Sequence, residues 1–313
     1  MGDQYTNVAI VRRSFPIRDY DLDATLDSGQ AFRWQTVGTS WVGVIGQRWV
    51  RLQAEQNQIL AETVAPVEDW TWLKTYLQLD LDLEQVLQTF PTDPSMQAAV
   101  TACRGLRLLR QDPWECLASF ICSSTKQIVQ IRQIIALLSG RFGEPLSCPD
   151  SHGPAWSFPT AERLAQATEA ELLACKLGFR AKYLRAAAQR VAAGDLDLSR
   201  LGALRLESAR EQLLELPGVG RKIADCVLLF AYGFPGAFPV DVWISRALRQ
   251  LYFPRRRVTL RRLHEFSASH FGPQGGFAQQ YLFHFVRRFP QAGGACRARS
   301  SRGKKHPRRV LGS

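Results

Sequence analysis

One segment limits the possible folds more than any other. From Glu207 to Tyr232 the chain reads ESAREQLLELPGVGRKIADCVLLFAY, two apolar-periodic stretches separated by Leu216-Pro217-Gly218-Val219-Gly220 alone. Apolar side chains three and four residues apart predict a helix on each side. Pro217 cannot continue the first helix, because it lacks a backbone donor and its ring clashes with the preceding turn. Gly218 and Gly220 permit a tight turn and close approach of another backbone. Gly220-Arg221-Lys222 then opens the second helix, whose first amides have no partner within it. Such amides form an anion site from backbone alone. The segment is therefore a helical hairpin able to hold a phosphate; the plainer alternative is an ordinary helix–turn–helix joint capped by glycine.

The rest of the chain is organised around this hairpin. Its 313 residues suit two domains or one large one. Ser40–Ile45 and Arg48–Leu52 flank Gly46-Gln47, a β-hairpin signal, and Ile59–Val64 reads as a further strand. After Pro66 the period becomes helical: 68–79, 113–122, 128–138, 160–175, 180–193, 207–215, 221–232, 242–251, 259–270 and 277–288. The expected fold is α+β, a small antiparallel β-sheet domain with flanking helices over 1–110 followed by a larger all-α domain over 111–290 that carries the helical hairpin at about 207–233. Residues 291–313 hold seven Lys/Arg and four Gly with almost nothing to bury, and read as a disordered basic tail.

Charge and cysteine content narrow the function classes. Residues 1–241 carry 24 Lys/Arg against 27 Asp/Glu, whereas 242–313 carry 16 Lys/Arg against the single acid Glu265. The whole excess of positive charge lies in the last quarter, which points to a polyanion, nucleic acid ahead of an anionic membrane surface. Seven cysteines without a C-x-x-C pair argue against a zinc site, an iron–sulfur cluster or a disulfide framework. No apolar run approaches the ~20 residues of a membrane span, and no secretory signal is expected at the N-terminus.

Several motifs in order resemble one enzyme family. L-P-G-V-G-x-K-x-A-D-C with Pro239-Val240-Asp241 following Lys222 looks like the helix–hairpin–helix glycosylases with a lysine nucleophile. Ser28-Gly29-Gln30-Ala31-Phe32-Arg33-Trp34 resembles the N-terminal signature of the 8-oxoguanine DNA glycosylase/AP lyase branch. So do Leu109-Arg110-Gln111-Asp112-Pro113, Phe120-Ile121-Cys122-Ser123-Ser124, Gly178-Phe179-Arg180-Ala181-Lys182-Tyr183 and Gly276-Phe277-Ala278-Gln279. The matches run from about residue 20 to 289.

The resemblance implies a DNA repair glycosylase that flips 8-oxoguanine out of the duplex, cleaves it through a lysine Schiff base and nicks the strand by β-elimination. It implies Lys222 as nucleophile, a residue otherwise read as a phosphate-contacting or solvated lysine. Asp241 reads first as the N-cap of the next helix; the resemblance adds stabilisation of the sugar cation or deprotonation of the lysine. The lesion differs from guanine at ring nitrogen 7, an acceptor in guanine and a donor in the lesion. By resemblance the Gly29 carbonyl reads that nitrogen, Gln279 reads the pairing edge, Phe283 stacks on the base and Cys226 lines the opposite wall. The family's DNA contacts map to Gly218, Gly220, Thr125 and Arg180. The carbonyls of Leu214, Leu216 and Val219 correspond to a monovalent cation site, and no organic cofactor is implied.

Two positions depart from the pattern. Thr125-Lys126-Gln127 stands where the family commonly has asparagines that read the opposite cytosine, and Trp243 stands where a histidine is common. The expected partner is double-stranded DNA with oxidised guanine, the expected state a monomer without membrane association. The expected setting is the bacterial cytoplasm at the nucleoid, or the nucleus in a eukaryote. Two readings stay open: a hairpin glycosylase for another damaged base, and a non-catalytic DNA-binding protein using the hairpin as a phosphate clamp.

Overall fold

The computed structural model describes residues 8–254 and 256–290; the basic segment 291–313 lies outside them. Strands β1 (Ile10–Pro16), β2 (Gln35–Val37), β3 (Ser40–Ile45), β4 (Arg48–Glu55) and β5 (Gln58–Val64) form one antiparallel sheet in the order β1-β5-β4-β3-β2. Gly46 turns between β3 and β4 at φ 58°, which sets Val44 opposite Trp49 and Gly43 opposite Val50. One face is covered by α1 (Leu22–Asp27) and α2 (Thr71–Leu77). Phe15, Leu26, Trp34, Leu52, Ile59, Leu73 and Leu77 are packed between them.

Helices then dominate: α3 (Leu83–Leu87), α4 (Pro94–Ala102), α5 (Pro113–Cys122), α6 (Ile128–Phe142), α7 (Ala161–Ala165), α8 (Glu169–Ala174), α9 (Ala181–Ala192), α10 (Leu206–Leu214), α11 (Arg221–Val227), α12 (Val242–Tyr252), α13 (Leu260–His270) and α14 (Gly275–Arg288). Their starts are written in the sequence. Asp93, Asp112, Thr160, Asp241 and Thr259 each accept a first-turn amide, and Pro94 and Pro113 occupy the first turn where no donor is needed. The central helix α5 is buried from Cys116 to Cys122 and lies in a core shared with α4, α6, α9, α11 and α14.

Three features differ from the expectation. A helix not read from the sequence, α1, precedes the β2–β5 strands, because Asp21 caps it, its side chain accepting from Ala24 N at 2.8 Å. The stretch 160–175 is two helices, since Thr168 and Glu171 form a capping box that restarts the chain. The helical part also holds a two-residue ribbon, Pro145–Leu146 against Ala155–Trp156.

Polar side chains join the sheet to the helices. Gln30, fully buried, donates to the carbonyls of Thr25 and Arg107 at 2.9 and 2.8 Å and accepts from Leu109 N at 2.8 Å. Gln111 donates through its side chain to the Gln30 carbonyl, and through its backbone to the Phe230 carbonyl. From α14, Gln280 donates to the Ser28 carbonyl and Tyr281 to the Leu106 carbonyl. The loop carrying Gly29 is thereby fixed to the segment leading into α5 and to α14.

Candidate active site

The joint between α10 and α11 has the predicted form. Gly218 adopts φ 80°, and a Cβ there would stand 2.5 Å from the Tyr183 ring, so glycine is required by conformation and by packing. Gly220 is the N-cap of α11, with open space where a Cβ would be. A buried ion pair ties the two helices: Arg210 Nε donates to Asp225 Oδ1 at 2.7 Å, and both side chains are nearly inaccessible. Chain direction past α11 is set by one π turn, Leu228–Tyr232, closed by Gly233 at φ 74°. The loop that follows delivers Asp241.

Lys222, in the first turn of α11, projects into a cavity of about 870 Å³ that Gly29, Thr125, Cys226, Asp241, Gln279 and Phe283 also line. Residues as far apart in sequence as Gly29 and Phe283 are thus brought to one space. The Lys222 amine donates to Ser123 Oγ at 3.0 Å and stands 5.0 Å from the centre of the Phe120 ring. Asp241 caps α12, accepting from Ile244 N at 2.7 Å. Burial pushes its carboxyl above the ordinary carboxylate range, opposed by that amide and by the charge of Lys222. Burial also pushes the Cys226 thiol up to about 12, so at neutral pH it is an uncharged part of the cavity wall.

Gly29 sits at φ 80°; a Cβ there would lie 2.6 Å from Ile128 Cδ1 and 3.5 Å from the Phe283 ring. The glycine therefore lets the backbone reach the aromatic face. Gln279 is 4% exposed, donates to the Pro239 carbonyl at 3.0 Å, and keeps its side-chain oxygen without a partner among the described residues.

Of the other expected residues, Thr125 stands at the cavity wall, whereas Arg180, Leu214, Leu216 and Val219 lie off it. Arg180 is 3% exposed. It donates to the Ser124 carbonyl, to Thr125 Oγ1 at 2.6 Å and to the Leu177 carbonyl at 3.0 Å, with its guanidinium over the Phe179 ring. Thr125 is exposed and left-handed at φ 55°, a strained conformation for a β-branched residue. Leu214, Leu216 and Val219 belong to the hairpin, where the Leu216 carbonyl accepts from Val219 N at 3.1 Å. Among the described residues no cluster of three His, Cys, Asp or Glu could hold a metal ion, and no helix is long and apolar enough to cross a membrane.

The same two-part layout appears in known proteins. Residues 14–117 match the 8-oxoguanine DNA glycosylase N-terminal domain, and residues 118–268 match the HhH-GPD superfamily of base excision DNA repair proteins. The chain belongs to the 8-oxoguanine DNA glycosylase family. A probable N-glycosylase/DNA lyase of Methanothermobacter thermautotrophicus is 32% identical over 87% of this chain and 95% of its own length. The N-glycosylase/DNA lyase of Saccharomyces cerevisiae is 36% identical over 74% of this chain and 68% of its own. The Clostridium acetobutylicum 8-oxoguanine glycosylase/lyase, solved with double-stranded DNA containing cytosine opposite 8-oxoguanine, superposes with a TM-score of 0.82. It is 31% identical and covers 89% of this chain and 98% of its own.

Among the cavity-lining residues to which the sequence reading gave no role are Phe120, Ser123 and Arg287. Arg287 lies one turn beyond Phe283 on α14, with its guanidinium 5.2 Å from that ring, and burial lowers its affinity for the proton. The four-residue spacing was the available signal.

Proposed function

We propose that this chain excises 8-oxoguanine from duplex DNA and then cuts the strand at the abasic site, with Lys222 as the nucleophile. The reading rests on one observation: a lysine amine and a half-buried carboxylate line the same cavity of about 870 Å³, room enough for a flipped nucleotide. A phosphate clamp has no need of a carboxylate in the same cavity as its lysine, and this disfavours the non-catalytic alternative.

In the proposed reaction the glycosidic bond breaks as the Lys222 nitrogen bonds to the sugar's C1′, and the base leaves with the bonding electron pair and gains a proton. Asp241 takes the proton the amine must lose and offsets positive charge on the sugar. Opening of the sugar gives a Schiff base, and removal of a C2′ proton expels the 3′ phosphate. Water then releases the lysine. Ser123 and the Phe120 ring hold the amine in place within the cavity. The neutral Cys226 thiol leaves Lys222 without competition from sulfur.

The Gly29 carbonyl accepts the lesion's N7–H, Phe283 stacks on the base against the Cys226 wall, and the unpartnered Gln279 oxygen meets the pairing edge. This arrangement favours 8-oxoguanine over another damaged base. The amides at Gly218 and Gly220 hold a backbone phosphate. The carbonyls of Leu214, Leu216 and Val219 are uncharged oxygen donors and suit a monovalent cation that would add positive charge there; no step needs an organic cofactor. Arg180 and Thr125, already bonded to each other, face the opposite base as a unit. In this reading residues 1–110 supply Gly29, residues 111–290 supply the remaining site, and the monomer works on chromosomal DNA, in a bacterial nucleoid or a eukaryotic nucleus.

The test uses duplexes carrying one 8-oxoguanine, one alkylated purine or only normal bases. Release of free 8-oxoguanine with a β-elimination nick is expected from the first alone. Release of the alkylated base instead would favour another lesion, and binding without release would favour the clamp.

A further inference from the structure

The mouth of the cavity carries large apolar side chains turned to solvent. Val129 and Val242 are each 74% exposed, Leu260 50% and Trp243 44%, and all four line the opening. Helix α12 buries Ile244, Ala247 and Leu248 on its inner side, so Val242 and Trp243 contribute little to the core. Such a cluster is unfavourable in water unless something covers it. The Arg246 guanidinium lies 5.7 Å from the Trp243 ring, and the region from 242 onward is strongly basic. A polyanion with flat apolar faces is the occupant this combination fits.

We propose that Trp243, flanked by Val242 and Leu260, is a ledge on which a base of the damaged strand stacks, the base next to the nucleotide that enters the cavity. Trp243 is two residues beyond Asp241, at the opening rather than in its depth, so the reacting nucleotide passes it and its neighbour remains there. When a nucleotide leaves the duplex, its neighbour loses a stacking face. The indole replaces that face without reading sequence, because every base has one. Arg246 holds the ring and adds positive charge beside the adjoining phosphate. The ledge thus stabilises the flipped state and acts on binding more than on bond cleavage. This inference rests on the glycosylase reading for its choice of strand.

The test measures equilibrium binding to duplexes in which a tetrahydrofuran residue, a stable abasic analogue, stands at the lesion position. The neighbouring nucleotide on either side is left intact or stripped of its base. Trp243→Ala should weaken binding to the intact duplex by roughly 5- to 150-fold, the range for loss of one aromatic–base stack, at unchanged melting temperature. Trp243→Phe should restore most of the affinity. The penalty should vanish on one of the two stripped duplexes, which identifies the side contacted. An equal penalty on every duplex, or none on any, would overturn the ledge. So would unchanged DNA affinity with an altered oligomeric state, which would put a second copy of the chain on this face. Failure of the glycosylase reading would show separately, as wild-type protein that binds the analogue yet never releases 8-oxoguanine.

Discussion

Replacing Asp241 by asparagine separates its two roles. Asparagine caps a helix about as well as aspartate, so the bond from Ile244 N at 2.7 Å should persist. Burial holds the Asp241 carboxyl above its ordinary range. A group whose proton affinity is raised by folding adds stability below its unfolded pKa, and that contribution is lost as pH rises through the folded value. At neutral pH the half-buried charge is thus a net liability, and Asp241→Asn should melt no lower than wild type. Asp241→Ala loses the cap as well, about 0.5–2 kcal/mol, or a few degrees of melting temperature in a chain of this size. Chemistry should move the other way. Loss of the charge and of the proton acceptor should slow single-turnover excision by roughly 10²- to 10⁴-fold. Wild-type excision should fall in acid at a pH above the ordinary carboxylate value, and the asparagine variant should lack that limb. A variant that melts far below wild type, yet turns over normally per folded molecule, would refute the reasoning and leave Asp241 as a cap alone.

Other outcomes follow from the same geometry. Thr125→Asn should raise stability, because asparagine tolerates the left-handed conformation at φ 55°, and should sharpen the preference for cytosine opposite the lesion; unchanged preference would assign that reading to Arg180 alone. Asp225→Ala should cost about 3–5 kcal/mol in thermal or denaturant melts, since it leaves the buried Arg210 unpaired; replacing both partners with apolar residues should recover most of this. Deleting residues 291–313, with their seven cations, should weaken binding to damaged and undamaged duplex alike. The salt slope should become shallower by up to about 0.9 per lost phosphate contact, with single-turnover excision unchanged.

What could be read from the sequence follows from which forces are local. The Ser40–Glu55 hairpin and helices α5, α6 and α9 stand out because side-chain period and a start signal agree within one segment. The hairpin at Gly218 is legible because proline and glycine act on the backbone where they stand. Helix α1 escapes because its six residues are too few to show a period, although Asp21 marks its start. Strand β1 carries Arg12 and Arg13 at its centre and is held by pairing with β5, almost fifty residues away. The gathering of Lys222, Asp241, Gly29 and Phe283 came from motif order, because no local rule brings residue 29 to residue 283. The bond from Lys222 to Ser123 spans 99 residues, and the burial of Arg180 depends on the Ser124–Thr125 loop folding over it. Neither leaves a mark in sequence.

The central claim is that Lys222 forms the covalent link to DNA, and borohydride trapping tests it most directly. The cavity offers a second amine, Lys126, so trapping alone does not identify the nucleophile; peptide mapping of the trapped adduct does. Wild-type protein incubated with an 8-oxoguanine duplex and borohydride should become linked through Lys222. Lys222→Gln should give no adduct and no excision while still binding DNA. An adduct that survives this substitution and maps to Lys126, or full excision by Lys222→Gln without any adduct, would contradict the account.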